Sequence, residues 1–334
     1  MIGALTEHPA VGILVYHQVG DFKPMRRHRA NYCDRRRFIR QMALLARLGY
    51  RVLDLDTALD CLAGAQAAPA RAVVLTFDDA YENFAQQALP VLQDHGFPAT
   101  VYAISGWLGR RAEWFAAEPD RPIPDLMSAQ RLREVHAAGI TIGSHTASHT
   151  RLHRVSRLVL RQELRDSKAA LEDILGDEVR HLSYPYNSFD RATVHAAARA
   201  GYASATTCLR GLATVADHPL ALPRLAISFG DRLLAYWWRL LLGPKAAPAL
   251  VEWRRHLADE PGHFRPLDAD PGHGDPESSQ DARPANERDQ GPMPSTQAPR
   301  DPDWTSRPPA PHPTIPDGYS AAKPIIPKST DEHR

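Results

Sequence analysis

Apolar residues recur along this chain in short runs separated by stretches of helical spacing. Val11 to Tyr16, VGILVY, is an unbroken apolar run. After a loop, Asp34 to Leu48 carries apolar positions at helical intervals and stops at Gly49. RVLDL predicts a second strand. RAVVLTF, ending at Phe77, is a β-branched run of the kind buried on both faces in parallel sheets, and YENFAQQALPVLQDHG after it reads as a helix with a glycine stop. The alternation continues with ATVYAI, the Ser-capped helix SAQRLREVHAAG, ITIGS, the long helix Ser156 to Gly176, VRHLSY, RATVHAAARAG, ASATT and PRLAIS. Repeated strand-then-helix units predict an α/β fold with a parallel sheet, either doubly wound or closed into a barrel.

In both architectures ligands meet the carboxyl ends of the strands, where the βα loops gather. VVLTF runs into Asp78-Asp79, ITIGS into HTASH (His145 to His149), HLSY into Pro185-Tyr186-Asn187, and ILVY into His17. Four strand ends thus present two acids, three histidines and a backbone turn. His145 and His149, four residues apart, can both face one ion on a helical turn or tight loop, and two histidines plus a carboxylate leave positions open for water and substrate. Asp79 is the natural third ligand. Asp78, pointing elsewhere, is then spared as a general base. Spacing leaves open the competing pair His149 and His153, and Asp-Asp after a strand is by itself an ordinary helix cap; the conjunction at matching strand ends is what favours a site.

Composition trims the alternatives. Lys and Arg number 40 against 39 Asp and Glu, a net charge of +1, so nothing suggests nucleic acid as a partner. Cys33, Cys61 and Cys208 have no metal-like spacing and fit a reducing compartment. The first residues lack the basic start of a signal peptide, and the expected location is cytoplasmic. Leu233 to Gly243, LLAYWWRLLLG, suits an ordinary packing helix or a contact peripheral to a membrane surface. From Leu257 onward the chain holds more than half of its 29 prolines and little apolar periodicity. The expectation is a catalytic domain over 10–257 and a disordered Pro-rich tail over 258–334.

LTFDDAYENF, SHTASHTRL and LSYPYN resemble, in order and spacing, the three signature motifs of the polysaccharide deacetylase family (carbohydrate esterase family four). The resemblance covers roughly residues 10 to 230. It implies a distorted (β/α)7-type barrel and a divalent metal, usually zinc and sometimes cobalt, nickel or iron. It implies Asp78 as catalytic base, and Asp79, His145 and His149 as metal ligands. Pro185 would fix a turn from which the Tyr186 backbone N–H serves an oxyanion. Two departures stand out. The third motif usually begins with an arginine that steadies the base, and here Ser183 stands in that place; Arg224 is a candidate from another strand. The general-acid histidine usually lies on a late strand, whereas here His17 offers itself, as in members that look circularly permuted. The implied activity is removal of an N-acetyl group from an N-acetylhexosamine unit of a glycan or a lipid-linked sugar, with Trp107, Trp114 and Phe115 as candidate sugar-stacking residues. A non-sugar amide or imide, or a non-catalytic glycan-binding descendant, is the alternative.

Overall fold

The computed structural model describes residues 10–23, 28–115, 122–242 and 246–257. The readings of the first residues and of 258–334 lie outside these. In chain order the elements are β1 (Ala10–Tyr16), β2 (Gln18–Gly20), β3 (Tyr32–Asp34), α1 (Arg35–Arg47), β4 (Arg51–Leu53), α2 (Leu55–Leu62), β5 (Ala72–Phe77), α3 (Leu89–His95), β6 (Thr100–Ala103), α4 (Ala129–Ala137), β7 (Thr141–Ser144), α5 (Arg157–Leu175), β8 (His181–Ser183), α6 (Arg191–Arg199), β9 (Ser204–Arg210), β10 (Ala213–Thr214), β11 (Leu222–Ala226), α7 (Leu233–Leu242) and α8 (Pro248–Leu257).

Seven parallel strands close into a barrel in the order β1, β5, β6, β7, β8, β9, β11 and back to β1. The chain's first strand is therefore the closing stave. It pairs with β5 over Gly12 to Tyr16 and with β11 at Leu14 and Val15. The RVL strand expected from sequence is formed but flanks β5 outside the barrel, and β10 runs antiparallel to β1.

Local chemistry explains most boundaries. Asp34, Asp54, Ser128, Ser156 and Asp190 each accept a hydrogen bond from a first-turn N–H of the helix they precede. Gly96 and Gly176 end α3 and α5 in the left-handed conformation. The stretch after β5 deviates from a continuous α-helix: Phe84–Ala88 is a π-turn and α3 starts only at Leu89, next to Pro90, which has no N–H for the ladder. The helix α2 was not expected from sequence; it is a short apolar-faced segment with Leu55, Ala58, Cys61 and Leu62 buried. The main core lies between barrel and helices, with Phe38, Met42, Phe77, Leu92, Val101, Leu132, Leu164 and Leu182 among its members. No described helix is long and apolar enough to cross a membrane.

Candidate metal centre and catalytic site

The chain leaves β5 by a turn that separates the two aspartates. Asp78 N–H donates to Tyr16 O of β1 at 3.0 Å, an extension of the β1–β5 pairing. Asp79 (φ 72°) and Ala80 (φ 51°) then take left-handed backbone, which swings the second carboxylate away from the first. Thr146, His149, Tyr186 and Asn187 share this conformation. Six of the seven described non-glycine residues in that region thus sit on three loops at the same barrel mouth, where strain of about 1 to 2 kcal/mol each is held by the surrounding contacts.

Asp79 faces His145 and His149. Its Oδ1 lies 3.4 Å from His145 Nε2 and 3.3 Å from His149 Nε2, yet this buried oxygen makes no hydrogen bond. His145 Nδ1 lies 2.7 Å from the Ser183 carbonyl, which accepts only from a protonated nitrogen, so Nε2 turns a lone pair toward Asp79. Lone pairs facing a carboxylate oxygen in a buried site are reconciled by a cation between them. The three groups are the described cluster able to hold a metal ion, with ligand atoms within 4.8 Å of one another, so the donor set fits such an ion. Burial pushes His145 down to about 4, which keeps it neutral as a ligand must be. Burial would raise the Asp79 carboxyl, but the neighbouring His149 and His145 outweigh it and hold the group well below its ordinary value.

Asp78 turns into the barrel and meets Arg224. Arg224 Nη1 donates to Asp78 Oδ1 and Nη2 to Asp78 Oδ2, both at 2.7 Å. The remaining donors go to Thr207 O (2.9 Å), Thr76 Oγ1 (3.2 Å) and Ser183 Oγ (3.0 Å), so all five N–H groups of this buried side chain are used within the protein and none is left for a substrate. Its strand changes register against β9 between Leu222 and Arg224, which re-aims the side chain inward. Ser183, in the place of the motif arginine, is small enough to admit a guanidinium from across the barrel, and it adds its own hydroxyl to Asp78 Oδ2 at 3.3 Å. Burial opposes ionisation of Asp78, but the paired guanidinium overrides it and keeps the carboxyl below its usual value.

The other expected residues gather at the same mouth. The Tyr16–Phe77 pairing puts His17, the next residue, beside Asp78; its imidazole is among the groups holding both aspartates down, and its buried Nδ1 has no partner. Pro185 is buried and Tyr186, at φ 56°, lays its ring 4.6 Å from that of His149. Trp114 packs on the same imidazole at 4.7 Å and meets Trp107 at 5.4 Å, and both tryptophans pack against a small apolar cluster of Tyr81, Ala112, Phe115 and Leu126. His153 stands outside the metal cluster: its Nδ1 lies 2.7 Å from Ser188 Oγ, which removes the competing His149–His153 pair.

Sequence reasoning missed Glu163. This α5 carboxylate accepts from the N–H groups of Ala147 (3.0 Å) and Ser148 (2.9 Å) and from the Ser148 hydroxyl (2.6 Å), and so holds the loop that carries His149. The signal was an acid lying on the buried stripe Leu160, Leu164, Ser167, Leu171.

A family profile described as Polysaccharide deacetylase matches residues 65–205, which include every one of the three motifs. Over that segment this chain is similar to the polysaccharide deacetylase family. YxkH of Bacillus subtilis (strain 168) is 27% identical over 226 residues, 67% of this chain and 74% of that protein. The poly-β-1,6-N-acetyl-D-glucosamine N-deacetylase of Escherichia coli (strain K12) is 30% identical over 109 residues, 32% of this chain but only 16% of that protein's length. Among solved structures, the Streptococcus pyogenes deacetylase PplD in complex with acetate matches with a TM-score of 0.61 at 24% identity, over 70% of this chain and 99% of that one. At that identity the likeness speaks for the fold.

Proposed function

We propose that residues 10–257 form a metal-dependent N-deacetylase that hydrolyses the N-acetyl group of an N-acetylhexosamine unit in a glycan. The observation that carries this reading is the split pair: Asp79 grouped with two histidines whose ligand atoms lie within 4.8 Å of one another, and Asp78 held ionised by Arg224 beside it. The names of relatives support the substrate class, since two kinds act on poly-β-1,6-N-acetyl-D-glucosamine and chitooligosaccharide.

Asp79, His145 and His149 would hold the ion, zinc being the expected one. When bound, it supplies Lewis-acid polarisation of the acetamide carbonyl and lowers the pKa of water. Asp78 Oδ1 keeps a lone pair beyond its Arg224 bond, so it can take a proton from the water as that water attacks the carbonyl carbon. The Tyr186 N–H serves the developing oxyanion. An amine leaves only when protonated, and His17, on the side of Asp78 set by β1, gives it that proton. The C–N bond breaks, and acetate and the free amine depart. Trp107 and Trp114 offer apolar faces to a sugar ring beside His149.

The test is acetate release from N-acetylglucosamine oligomers by the purified protein, with and without chelator. Chelator-sensitive release that falls at least a hundredfold in Asp78→Asn and His149→Ala is expected. Undiminished release in either variant would overturn the assignment. Against a non-catalytic binding role stands the pairing of Arg224 with Asp78, which gives the base a charged partner that Ser183 does not supply.

A further inference from the structure

We infer that the face formed by α1 and α7 docks on an anionic lipid bilayer. The two helices lie against one another: Tyr236 of α7 is buried in the cluster that holds Tyr16, Phe38 and Met42, and the Arg37 guanidinium stacks 5.4 Å over the ring of Phe229, just before α7. Arg239 fastens α7 to the barrel through two bonds to Asp231, at 2.7 and 2.9 Å, and one to Ala226 O. With Tyr236 inward, α7 turns Leu233, Leu234 and Trp238 outward; Leu234 is 62% exposed and Trp238 45%. Three of the eight large apolar side chains that the described residues expose are on this one helix.

The charge around these residues selects the partner. Helix α1 carries Arg35, Arg36, Arg37, Arg40 and Arg47, helix α7 carries Arg239, and neither contains an acid. Phe38, Gln41, Met42 and Leu45 are the buried face of α1, so Arg36, Arg40 and Arg47, at helical spacing, line the opposite face together with Ile39 and are exposed. Arg35, Arg36, Arg40 and Arg47 have no ion-pair partner among the described residues. The acids that precede the two helices are engaged: Asp34 caps α1 and Asp231 binds Arg239. A second copy of this face would bring arginines against arginines. A bilayer of anionic lipid meets both features, since leucine and tryptophan enter the headgroup boundary while arginines meet phosphate.

The placement also serves the reaction. Residues 227–232 lead from the carboxyl end of β11 to α7, with Ile227 N–H bonded to Val15 O and Phe229 N–H to Arg29 O, so the first turn of α7 lies on the rim near His17. A protein docked by this face holds its mouth beside the membrane surface.

Co-sedimentation of the full chain with vesicles of phosphatidylcholine alone, or with added phosphatidylglycerol, tests the inference. Binding is expected only with the anionic lipid. Arg36→Glu with Arg40→Glu should weaken it at least ~25-fold, at roughly fivefold per arginine removed. Leu234→Ser with Trp238→Ser should abolish it, and brominated lipid should quench fluorescence that Trp238→Phe removes. Asp78→Asn should bind unchanged, which separates this inference from the deacetylase reading. Equal binding to neutral vesicles, binding to neither, or self-association lost in Trp238→Ser would each overturn it.

Discussion

A buried guanidinium with all five donors satisfied is worth little as a source of stability, but it is costly to disturb. Arg224 sets the charge state of Asp78, and its removal leaves the carboxylate in the barrel with the Ser183 hydroxyl as its one remaining side-chain hydrogen-bond donor among the described residues. Arg224→Met is expected to lower stability by about 3 to 5 kcal/mol, read as a fall in melting temperature, with Asp78 escaping part of that by taking up a proton. Arg224→Lys is the more informative change. It keeps a positive charge but loses the two-pronged geometry, so the Asp78 carboxyl should rise toward its ordinary value and the acid limb of kcat/KM should move to higher pH. An acid limb that stays in place would mean that another group is the base. The difference in visibility between the two partners is physical. Asp78, Asp79, His145 and His149 could be read in the sequence because each pair follows directly on the end of one strand, β5 or β7. Arg224 bonds a residue 146 positions away, and that meeting depends on barrel closure and a register shift, neither of which has a local signature.

The HTASH loop shows how one element steadies another. Its left-handed residues Thr146 and His149 are pinned by Ser144 Oγ on the Thr146 N–H (3.1 Å), by Thr146 Oγ1 on the His149 N–H (3.1 Å), and by Glu163 reaching up from α5. Second-layer contacts of this kind commonly account for 10- to 100-fold in metal affinity. Glu163→Ala is therefore expected to weaken zinc binding by about that factor in a competition titration, while acetate release at saturating metal stays within a fewfold of the parent. Unchanged affinity would show that the loop stands without α5. From the other side, Gly106 N–H donates to Ala147 O, and a Cβ on Gly106 would lie 2.6 Å from that oxygen. Gly106→Ala should displace the loop and lower metal affinity too. Among the elements themselves, strands and long helices followed from periodicity and caps. The π-turn at Phe84–Ala88 and the helix α2 did not, because a proline inside a helical pattern and an eight-residue apolar segment each allow more than one local structure.

At the scale of the whole molecule, the barrel places its acid-bearing turn, its histidine loop and its first strand on one rim, so that proton and metal equilibria bear directly on folding. His145 is the group that makes this measurable. Its folded value of about 4 lies below the ordinary 6.5, so between these limits the unfolded chain binds a proton that the folded chain does not. Stability from this group is fully present above pH 6.5 and is lost as pH falls through 4, up to roughly 3 kcal/mol. Asp78 and Asp79, held below ordinary carboxylate values, act only at lower pH and leave this window to the histidine. Chelator-treated protein should thus melt at an almost constant temperature from pH 8 to 6.5 and progressively lower toward pH 4, and His145→Asn should flatten that fall. Added zinc at a hundredfold over its Kd should raise stability by about 2.7 kcal/mol near neutral pH. The gain should shrink with acid, because protons compete for the same imidazoles. A zinc increment independent of pH would place the cation somewhere other than among Asp79, His145 and His149.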